Sequence, residues 1–412
     1  MKKILVVVES LDVNVTSGAK ANMALINALL FCNYKLTILH YTRKEIIIPN
    51  VKCVNIKENK RSFNYILSRT QRVFQRITKI NLSKNLERLF GHSFTFFNDS
   101  KSIAIATQKY CYNHDLVLTL SQGASFRPHH ALLSLPLLHN KWLAYIHDPY
   151  PLHYYPEPYK WVEPGFRKKE LFFKKVSNSA KYSAFPSELL KEWMGQFFPN
   201  FITTGLVIPH QQLKIDSIDD LGKFKEIINK DQFLLLHAGN LMKQRSPFNL
   251  IKAFKLFLET NPKARNNSKL LFIGPAGYHK KNLEAELNGT PQLQLYLENT
   301  PFNIVNTLQH QVSVNIILES EAQISPFLPG KFPHCVFANK PILVIGPNRS
   351  ETKRLLGKSY EYQAESNEVF EISKLIEKLY NQWGSGKVLE LNRPDLLTYL
   401  SPEYLGKQIE KI

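Results

Sequence analysis

The sequence has few cysteines and no long apolar run. Its four cysteines, Cys32, Cys53, Cys111 and Cys335, form neither a C-x-x-C pair nor a metal-ligand spacing. This excludes a zinc ribbon and a disulfide framework. No stretch of about 18 apolar residues occurs, so a transmembrane helix is not expected. The apolar start, Ile4–Val8, is too short for a signal peptide and is better interpreted as a first buried strand. We therefore expect a cytoplasmic protein with free thiols.

Acidic residues are also scarce relative to basic ones. The chain has 34 Asp and Glu against 53 Lys and Arg, which gives a net charge of +19. A positive field of this size attracts nucleic acid, anionic lipid or phosphorylated small molecules. The sequence lacks zinc-finger spacing, an RNP signature and a repeated basic-aromatic platform, so nucleic acid is not an expected partner. A phosphorylated small molecule and an anionic membrane surface remain as expected partners.

Strand-like apolar runs alternate with helical patterns along the whole chain. Such alternation predicts an α/β fold of parallel sheets with right-handed crossovers. A polar stretch, 211–230, interrupts the pattern, which starts again at Phe233. We therefore predict two Rossmann-like, doubly wound domains facing a cleft, 1–210 and 231–390, with 211–230 as their connector. The segment 391–412 is expected to be helical and to pack back toward the first domain.

Two polar segments of the first domain follow predicted strands. Ser17-Gly18-Ala19-Lys20 comes after the first strand, and His147-Asp148 follows the strand Lys141–Ile146. Open α/β sheets bind ligands at the carboxyl ends of their strands, so both segments are candidates for a site. The alternatives are an ordinary tight turn at Gly18 and a structural hydrogen bond at His147.

The second domain carries two cationic segments. His237–Ala253 reads HAGNLMKQRSPFNLIKA, and Ser325–Pro347 reads SPFLPGKFPHCVFANKPILVIGP. Lys331 stands at the predicted start of a helix, where the helix N-terminus and the lysine together favour a phosphate. Arg245 can hold a diphosphate through two parallel hydrogen bonds. The alternative for Lys331 is a solvated lysine in a β-loop-α turn.

Taken in order, these segments resemble glycosyltransferase family 4, whose members have the GT-B fold and use nucleotide-sugar donors with retention of configuration. The resemblance covers nearly the whole chain. It implies that His147, with Asp148 beside it, lies near the transferred sugar or the acceptor. The catalytic residues implied are His147, Asp148, Arg245 and Lys331. The donor-binding residues implied are Gly18, Gly239, Asn240, Lys243, Arg245, Gly274, Pro329, Gly330, Lys331 and His334.

The sequence departs from the family pattern at four positions. Asn240 stands where the family has an arginine and Arg245 where it has a lysine, so one cation is lost and one is kept. Pro326 and His334 replace a Glu-x7-Glu pair, whose second glutamate binds the nucleotide ribose in the family. A neutral histidine can still hydrogen-bond a ribose hydroxyl. Donor choice is the property that these departures affect.

The resemblance implies a sugar transferase in cell-surface polysaccharide synthesis. The donor would be a UDP- or GDP-linked sugar, and the acceptor a saccharide or a lipid-linked saccharide. Fixed cations would stabilise the negative charge that builds on the leaving phosphate. No Asp-x-Asp cluster stands out, so donor binding without a metal is expected, and no cofactor is implied. Two alternatives stay open, a GT-B-like binding protein without transfer activity and a nucleotide-sugar epimerase of related fold.

One helical stretch, 61–80, has a different character. A helical wheel places Ile66, Val73, Phe74, Ile77 and Ile80 on one side and four cations on the adjacent side: Arg69, Arg72, Arg76 and Lys79. Basic amphipathic helices of this kind can lie on anionic membrane surfaces. The alternative is a helix whose apolar side faces the protein core and whose basic side is solvated. The sequence alone is compatible with both.

Overall fold

The structure is a computed structural model that describes residues 1–214, 221–229 and 231–412. The contacts within the chain divide it into two compact units. Unit 1 comprises Met1–Tyr155, Tyr159–Gln211 and Ser401–Ile412, and unit 2 comprises Pro156–Pro158 and Gln212–Leu400. Each unit contains a parallel sheet with helices, which confirms the predicted α/β class.

Unit 1 is built on a seven-stranded parallel sheet with the strand order β3-β2-β1-β4-β5-β6-β7. Ile4–Val8 is fully buried in its centre, because a parallel sheet in an α/β fold is covered on both faces. The strands are β1 Lys3–Val8, β2 Lys35–His40, β3 Lys52–Asn55, β4 Leu116–Leu120, β5 Trp142–Tyr145, β6 Tyr182–Phe185 and β7 Gly205–Val207.

Nine α-helices belong to the described part of unit 1. Several begin at a hydroxyl side chain that accepts a hydrogen bond from the first turn, as Thr16 does from Ala19 and Ser187 from Leu190. In chain order they are α1 Ser17–Phe31, α2 Phe63–Thr78, α3 Ser83–Phe90, α4 Phe94–Tyr110, α5 Arg127–Leu133, α6 Phe166–Ser179, α7 Glu188–Phe197, α8 Asn200–Thr204 and, at the end of the chain, α17 Pro402–Glu410.

Helix α17 packs on unit 1 although it follows unit 2 in sequence. The Cys32 thiol donates to the carbonyl of Pro402 (3.0 Å), and the Tyr34 hydroxyl donates to the carbonyl of Gly406 (3.3 Å). The Lys2 ammonium donates to the carbonyl of Ile409 (3.0 Å). Leu405 and Ile409 are buried beside β1, so the last helix completes one face of the first sheet.

Unit 2 contains a six-stranded parallel sheet with the order β10-β9-β8-β11-β13-β15 and a small parallel pair, β12-β14. The strands are β8 Phe233–Ala238, β9 Ser268–Ile273, β10 Leu293–Tyr296, β11 Val314–Leu318, β12 Ile324–Ser325, β13 Ile342–Ile345, β14 Arg349–Ser350 and β15 Gln363–Ala364. The helices are α9 Phe248–Thr260, α10 Ala264–Asn267, α11 Lys280–Glu286, α12 Phe302–Gln311, α13 Phe332–Phe337, α14 Glu351–Leu356, α15 Val369–Gly384 and α16 Pro394–Tyr399.

The predicted connector, 211–230, lies partly outside the described residues, at 215–220 and 230. Its described part contributes apolar side chains to the protein core, although the segment as a whole is polar in composition. Leu221, Phe224 and Ile227 are buried against β8 and β9, and a 3₁₀ turn at Gly222–Phe224 spaces them on one side. This segment therefore forms part of the core of unit 2.

Both sheets reverse their strand order beside the first strand of the unit. The reversal lies between β1 and β4 in unit 1 and between β8 and β11 in unit 2. Adjacent loops leave a parallel sheet in opposite directions at such a point and open a crevice at the carboxyl ends of the strands. Functional side chains are therefore expected after β1, β4, β8 and β11.

Candidate functional site

Lys331 is the centre of a cationic cluster in unit 2. Its Nζ lies 3.2 Å from Nδ1 of His237, the second-last residue of β8. A Cβ atom built on Gly239 would lie 3.4 Å from the same Nζ. Lys331 belongs to the loop before α13, so the long side chain brings a distant loop to the carboxyl end of β8. The structure thus brings together Lys331 and Gly239, which were predicted separately.

Two glycines make this approach possible. Gly239 has φ +149° and donates from its N–H to the carbonyl of Ile273 (2.8 Å). Gly274, with φ +121°, leaves no room for a side chain, because a Cβ there would lie 2.7 Å from the Gly239 carbonyl oxygen. The loops after β8 and β9 are therefore in backbone contact. The N–H groups of both glycines are used in hydrogen bonds to Ile273 and Tyr296, and what Gly239 provides is space beside the lysine ammonium.

Arg245 folds back over the same loop. Its Nη1 donates to the carbonyl of Asn240 (3.2 Å), while its buried Nε has no hydrogen-bond partner among the described residues. The Asn240 side chain is exposed. Lys243 is also exposed, and its Nζ lies 5.2 Å from the centre of the Tyr278 ring. The structure therefore joins Arg245 to the cluster and places Lys243 on a neighbouring aromatic ring.

The cationic cluster perturbs the titration of its own members. Burial, followed by the charge of Arg245, lowers the pKa of Lys331 to about 7, against the weaker effects of Cys335 and Glu319. Burial, then the charges of Lys331 and Arg245, hold the pKa of His237 well below its usual range. His237 is therefore neutral, and its Nδ1 accepts from the lysine ammonium. Glu319 is a carboxyl whose charge acts on both cations, but burial raises its pKa and the two cations outnumber it. An anionic ligand would balance the remaining positive charge.

The loop before α13 differs from the predicted helix-terminus site. Helix α13 has six residues, and the N–H of Phe332 already donates to the carbonyl of Pro329 (2.8 Å). Pro333 has no N–H to offer a ligand. The prediction that Lys331 stands at the helix start is confirmed, since it is the N-cap residue. Gly330 is exposed beside it. Because neither Phe332 nor Pro333 offers a free N–H, the positive charge of the candidate site comes from side chains and not from the helix terminus.

His334, the residue at the position of the ribose-binding glutamate, lies inside α13. It is buried, and its ring meets the ring of Phe302 edge-on with centroids 4.8 Å apart. The role of His334 toward a ribose stays a prediction.

Glu319 and His237 are site residues that the sequence reasoning missed. Glu319 follows β11 directly, and its buried carboxylate accepts from the Thr352 hydroxyl (2.8 Å). A Cβ on Gly346 would lie 2.6 Å from its Oε2, so the carboxylate is tightly enclosed. Burial raises the pKa of Glu319, opposed by Ser350, Thr352 and the nearby cations. The signal in the sequence was a polar residue at the end of each apolar strand.

Unit 1 holds a second cluster, centred on His147 after β5. The amide nitrogen of Asn22, on α1, donates to the carbonyls of Ser121 (3.0 Å) and Ser10 (3.4 Å). This fixes the amide orientation, so Oδ1 of Asn22 accepts from Nε2 of His147 (2.9 Å). Burial, followed by His210 and His129, holds the pKa of His147 well below its usual range. His147 is therefore neutral, and its Nδ1 carries the lone pair.

The surroundings of His147 were only partly predicted. Its Nδ1 lies 3.5 Å from Nε2 of His210, and neither His210 nor Asn22 was a sequence candidate. Burial raises the pKa of the neighbouring Asp148 carboxyl to about 6. Gly18, in the first turn of α1, lies under the β4 loop, since a Cβ there would be 3.4 Å from the Gly123 nitrogen. At neutral pH this polar group holds a neutral His147 beside an Asp148 carboxyl that is mostly ionised but protonates readily below pH 7.

The four basic residues predicted to contact a membrane surface, Arg69, Arg72, Arg76 and Lys79, are all exposed on or beside α2. Arg69 pairs weakly with Glu58 (3.6 Å), and Arg72 donates to the Thr95 hydroxyl (2.9 Å). Arg76 lies in the last turn, and Lys79 caps the helix in the left-handed region, φ +61°. The apolar side of α2 is exposed as well, so the interpretation of a core-facing apolar side is wrong. None of the described helices is long and apolar enough to span a membrane.

Comparisons with known proteins were made for both sequence and structure. No protein-family model and no curated protein sequence matches the chain. Solved structures match over its full length. They include HepE of Anabaena in complex with UDP and glucose (TM-score 0.62, 11% identity), covering 100% of this chain and 99% of that one.

Two further structures match in the same way. The trehalose-6-phosphate synthase OtsA has a TM-score of 0.65 at 10% identity, covering 100% of this chain and 99% of that one. The sucrose-phosphate synthase of Thermosynechococcus elongatus has a TM-score of 0.66 at 10% identity, covering 100% and 98%. At such identities the likeness establishes the fold alone. The GT-B fold that the sequence predicted is confirmed.

Proposed function

We propose that the protein is a glycosyltransferase that moves a sugar from a nucleotide-diphosphate sugar to a saccharide or lipid-linked saccharide. The observation that carries this proposal is the cationic cluster of unit 2. Lys331 Nζ lies against His237 and the Gly239 backbone, beside an Arg245 whose buried Nε has no partner among the described residues. The cluster lies at the strand-order reversal, where α/β sheets bind nucleotides. A diphosphate supplies the missing negative charge.

The chemistry follows from the charges. When the bond between sugar and diphosphate breaks, negative charge grows on the leaving phosphate, and cations already fixed in place stabilise it. Lys331 and Arg245 would act in this way, with Gly239 leaving space beside the lysine. Among the structures with this fold, HepE is described with UDP and glucose, and also with UDP-glucose. This supports a UDP-linked donor as the first to test, with a GDP-linked donor as the second.

His147 is the proposed residue on the acceptor side. It is neutral, and Asn22 holds its Nε2–H, so its Nδ1 carries the lone pair. An acceptor hydroxyl would donate to this Nδ1 in place of His210 Nε2, which lies 3.5 Å away. Asp148, with a pKa of about 6, is the adjacent group that can exchange a proton near neutrality. We further propose that the sugar is transferred with retention of configuration and without a metal. The reaction would serve cell-surface polysaccharide synthesis, with the protein in peripheral contact with an anionic membrane.

Nucleotide binding is the direct test. UDP or GDP at about 100 times its dissociation constant should stabilise the protein by about 2.7 kcal/mol, which raises the melting temperature. Lys331→Ala and Arg245→Ala should each remove most of this shift. Lys252→Ala is the matched control, because it deletes an exposed cation of α9 to which no binding role is assigned, and it should keep the shift. Absence of a shift with every nucleotide would reject the donor site.

Turnover separates the enzyme from the two alternatives. A transferase should release nucleoside diphosphate from the donor faster when an acceptor saccharide is added. A binding protein would show the thermal shift without release, and an epimerase would convert the nucleotide sugar without releasing the diphosphate. Either of these results would replace the proposed function.

A further inference from the structure

We propose that α2 is a membrane-contact helix that lies in the interface of an anionic bilayer with its apolar side inserted. This specifies the membrane contact of the proposed function, but it does not depend on nucleotide or transfer. The helix Phe63–Thr78 has 16 residues, so it is about 24 Å long.

The solvent-facing side of α2 is apolar. Phe63, Ile66, Val73, Phe74 and Ile77 are between 40 and 74% exposed. Their spacing places them on one side of the helix, because residues three, four, seven and eleven positions apart lie on the same stripe. Leu89 and Phe90 of the following helix α3 are also exposed, at 61 and 43%. Exposed large apolar side chains in a contiguous stripe indicate a contact surface.

The side of α2 that faces the rest of unit 1 is mostly polar, unlike that of a core helix. Ser68 is its buried residue, and Gln71 donates to the Ser83 hydroxyl (3.0 Å). Asn64 and Gln75 are half-buried, as are Tyr65 and Leu67. The exposed apolar stripe itself is therefore not buried when the protein folds. The stripe is available for another apolar phase.

The charge around the stripe identifies that phase. Residues 59–86 contain seven cations and no carboxylate: Lys60, Arg61, Arg69, Arg72, Arg76, Lys79 and Lys84. An interfacial helix combines such a basic edge with Ile, Val and Phe on the inserted side. Anionic headgroups attract each cation, whereas contact between two copies through this side would bring like charges together. An anionic bilayer satisfies both the apolar stripe and the cations.

The test is sedimentation of the full chain with lipid vesicles in the absence of nucleotide. Vesicles containing 30% phosphatidylglycerol should bind the protein, and neutral phosphatidylcholine vesicles should bind it much more weakly. The net charge of +19 draws the whole protein to anionic surfaces. The involvement of α2 is therefore judged from the difference in vesicle binding between variants. Ile77→Asp should weaken binding at least tenfold, since it places a charge in the inserted stripe.

A second test removes cations of α2, and each of the two tests has a matched control. Leu137→Asp changes an apolar residue of unit 1 that is 91% exposed and lies outside α2, so it should leave binding unchanged. Arg76→Gln with Lys79→Asn should weaken binding about 30-fold, at about 1 kcal/mol for each cation. Asn suits the left-handed backbone at position 79. Lys263→Gln with Lys281→Gln removes two exposed cations of unit 2 and should have a much smaller effect.

Several outcomes would overturn the inference. Equal binding of Ile77→Asp and the unaltered protein would exclude the apolar stripe, and equal binding to neutral vesicles would exclude the anionic surface. A concentration-dependent dimer that Ile77→Asp disrupts, without vesicle binding, would assign the stripe to a second copy. Because the nucleotide shift is measured without lipid, failure here leaves the donor site intact, and the reverse also holds.

Discussion

The His147 cluster of unit 1 and the cationic cluster of unit 2 both lie at the carboxyl ends of parallel strands. They differ in charge. In unit 2, Lys331 and Arg245 lie near a neutral His237 and outnumber the one nearby carboxyl, Glu319. In unit 1, His147 is neutral and hydrogen-bonded to an amide, and burial makes the carboxyl of Asp148 easier to protonate. The carboxyl edges of two similar sheets therefore differ, with an excess of cations after β8 in unit 2 and a neutral, hydrogen-bonded histidine after β5 in unit 1.

The comparison predicts that the two clusters can be separated by mutation, and the largest effect is expected at His147. His147→Ala should lower turnover about 100-fold or more, the usual range for an acid–base group. Nucleotide affinity should stay within about twofold, since the residue belongs to the other unit. His139→Ala is the matched control, because His139 precedes β5 at the opposite end of the strand. A large loss of nucleotide affinity in His147→Ala would break the comparison.

The second effect concerns pH and the charge of Lys331. With a pKa of about 7 in the free protein, Lys331 must take up a proton to bind an anionic donor at higher pH. Donor affinity should therefore be nearly constant below pH 7 and fall about tenfold for each pH unit above about 7.5. Calorimetry with a nucleotide-diphosphate sugar measures this. Lys331→Arg keeps its charge throughout and should flatten the profile, whereas a flat profile in the unaltered protein would contradict the assignment.

A smaller effect tests the close approach of Gly239 to Lys331. Gly239→Ala should cost about 1–3 kcal/mol of stability for its backbone conformation. It should also weaken nucleotide binding about tenfold, because the new Cβ, 3.4 Å from the Lys331 ammonium, would take the space beside it that the proposed ligand uses. Gly357→Ala, at φ +90° with no atom within 4 Å, carries a similar backbone cost away from the cluster. Equal nucleotide affinity in both variants would show that Gly239 is needed for the backbone conformation alone and not for nucleotide binding.

The smallest effect is on stability and comes from Asp148. Its pKa of about 6 in the folded state exceeds the unfolded value, so stability falls as the pH rises from about 4 to 6 and stays lower above that. Asp148→Asn removes the carboxyl. It should therefore stabilise the protein by about 1–3 kcal/mol at pH 8 and by less at pH 4, as thermal unfolding at both values would show. A gain that is independent of pH would mean that the carboxyl does not titrate in this window.

Much of the fold could be predicted because alternating apolar strands and amphipathic helices leave a local pattern in the sequence. Gly239, Arg245 and Lys331 became candidates because each lies in a loop that follows a strand, and the structure brings the three together. His237 and Glu319 were missed because a single polar residue at the end of an apolar strand has many possible roles. Asn22 was missed for a different reason, since its contacts are with Ser121 and His147, far away in sequence.

The sequence by itself determined the α/β class and the excess of positive charge, because composition and periodicity are local properties of the chain. It also placed cations beside glycines at strand ends. The tertiary structure alone decided that the Lys331 side chain reaches His237, since the two are 94 positions apart. It likewise decided that the apolar stripe of α2 faces solvent, because a helical wheel shows which residues share a side and not what that side contacts.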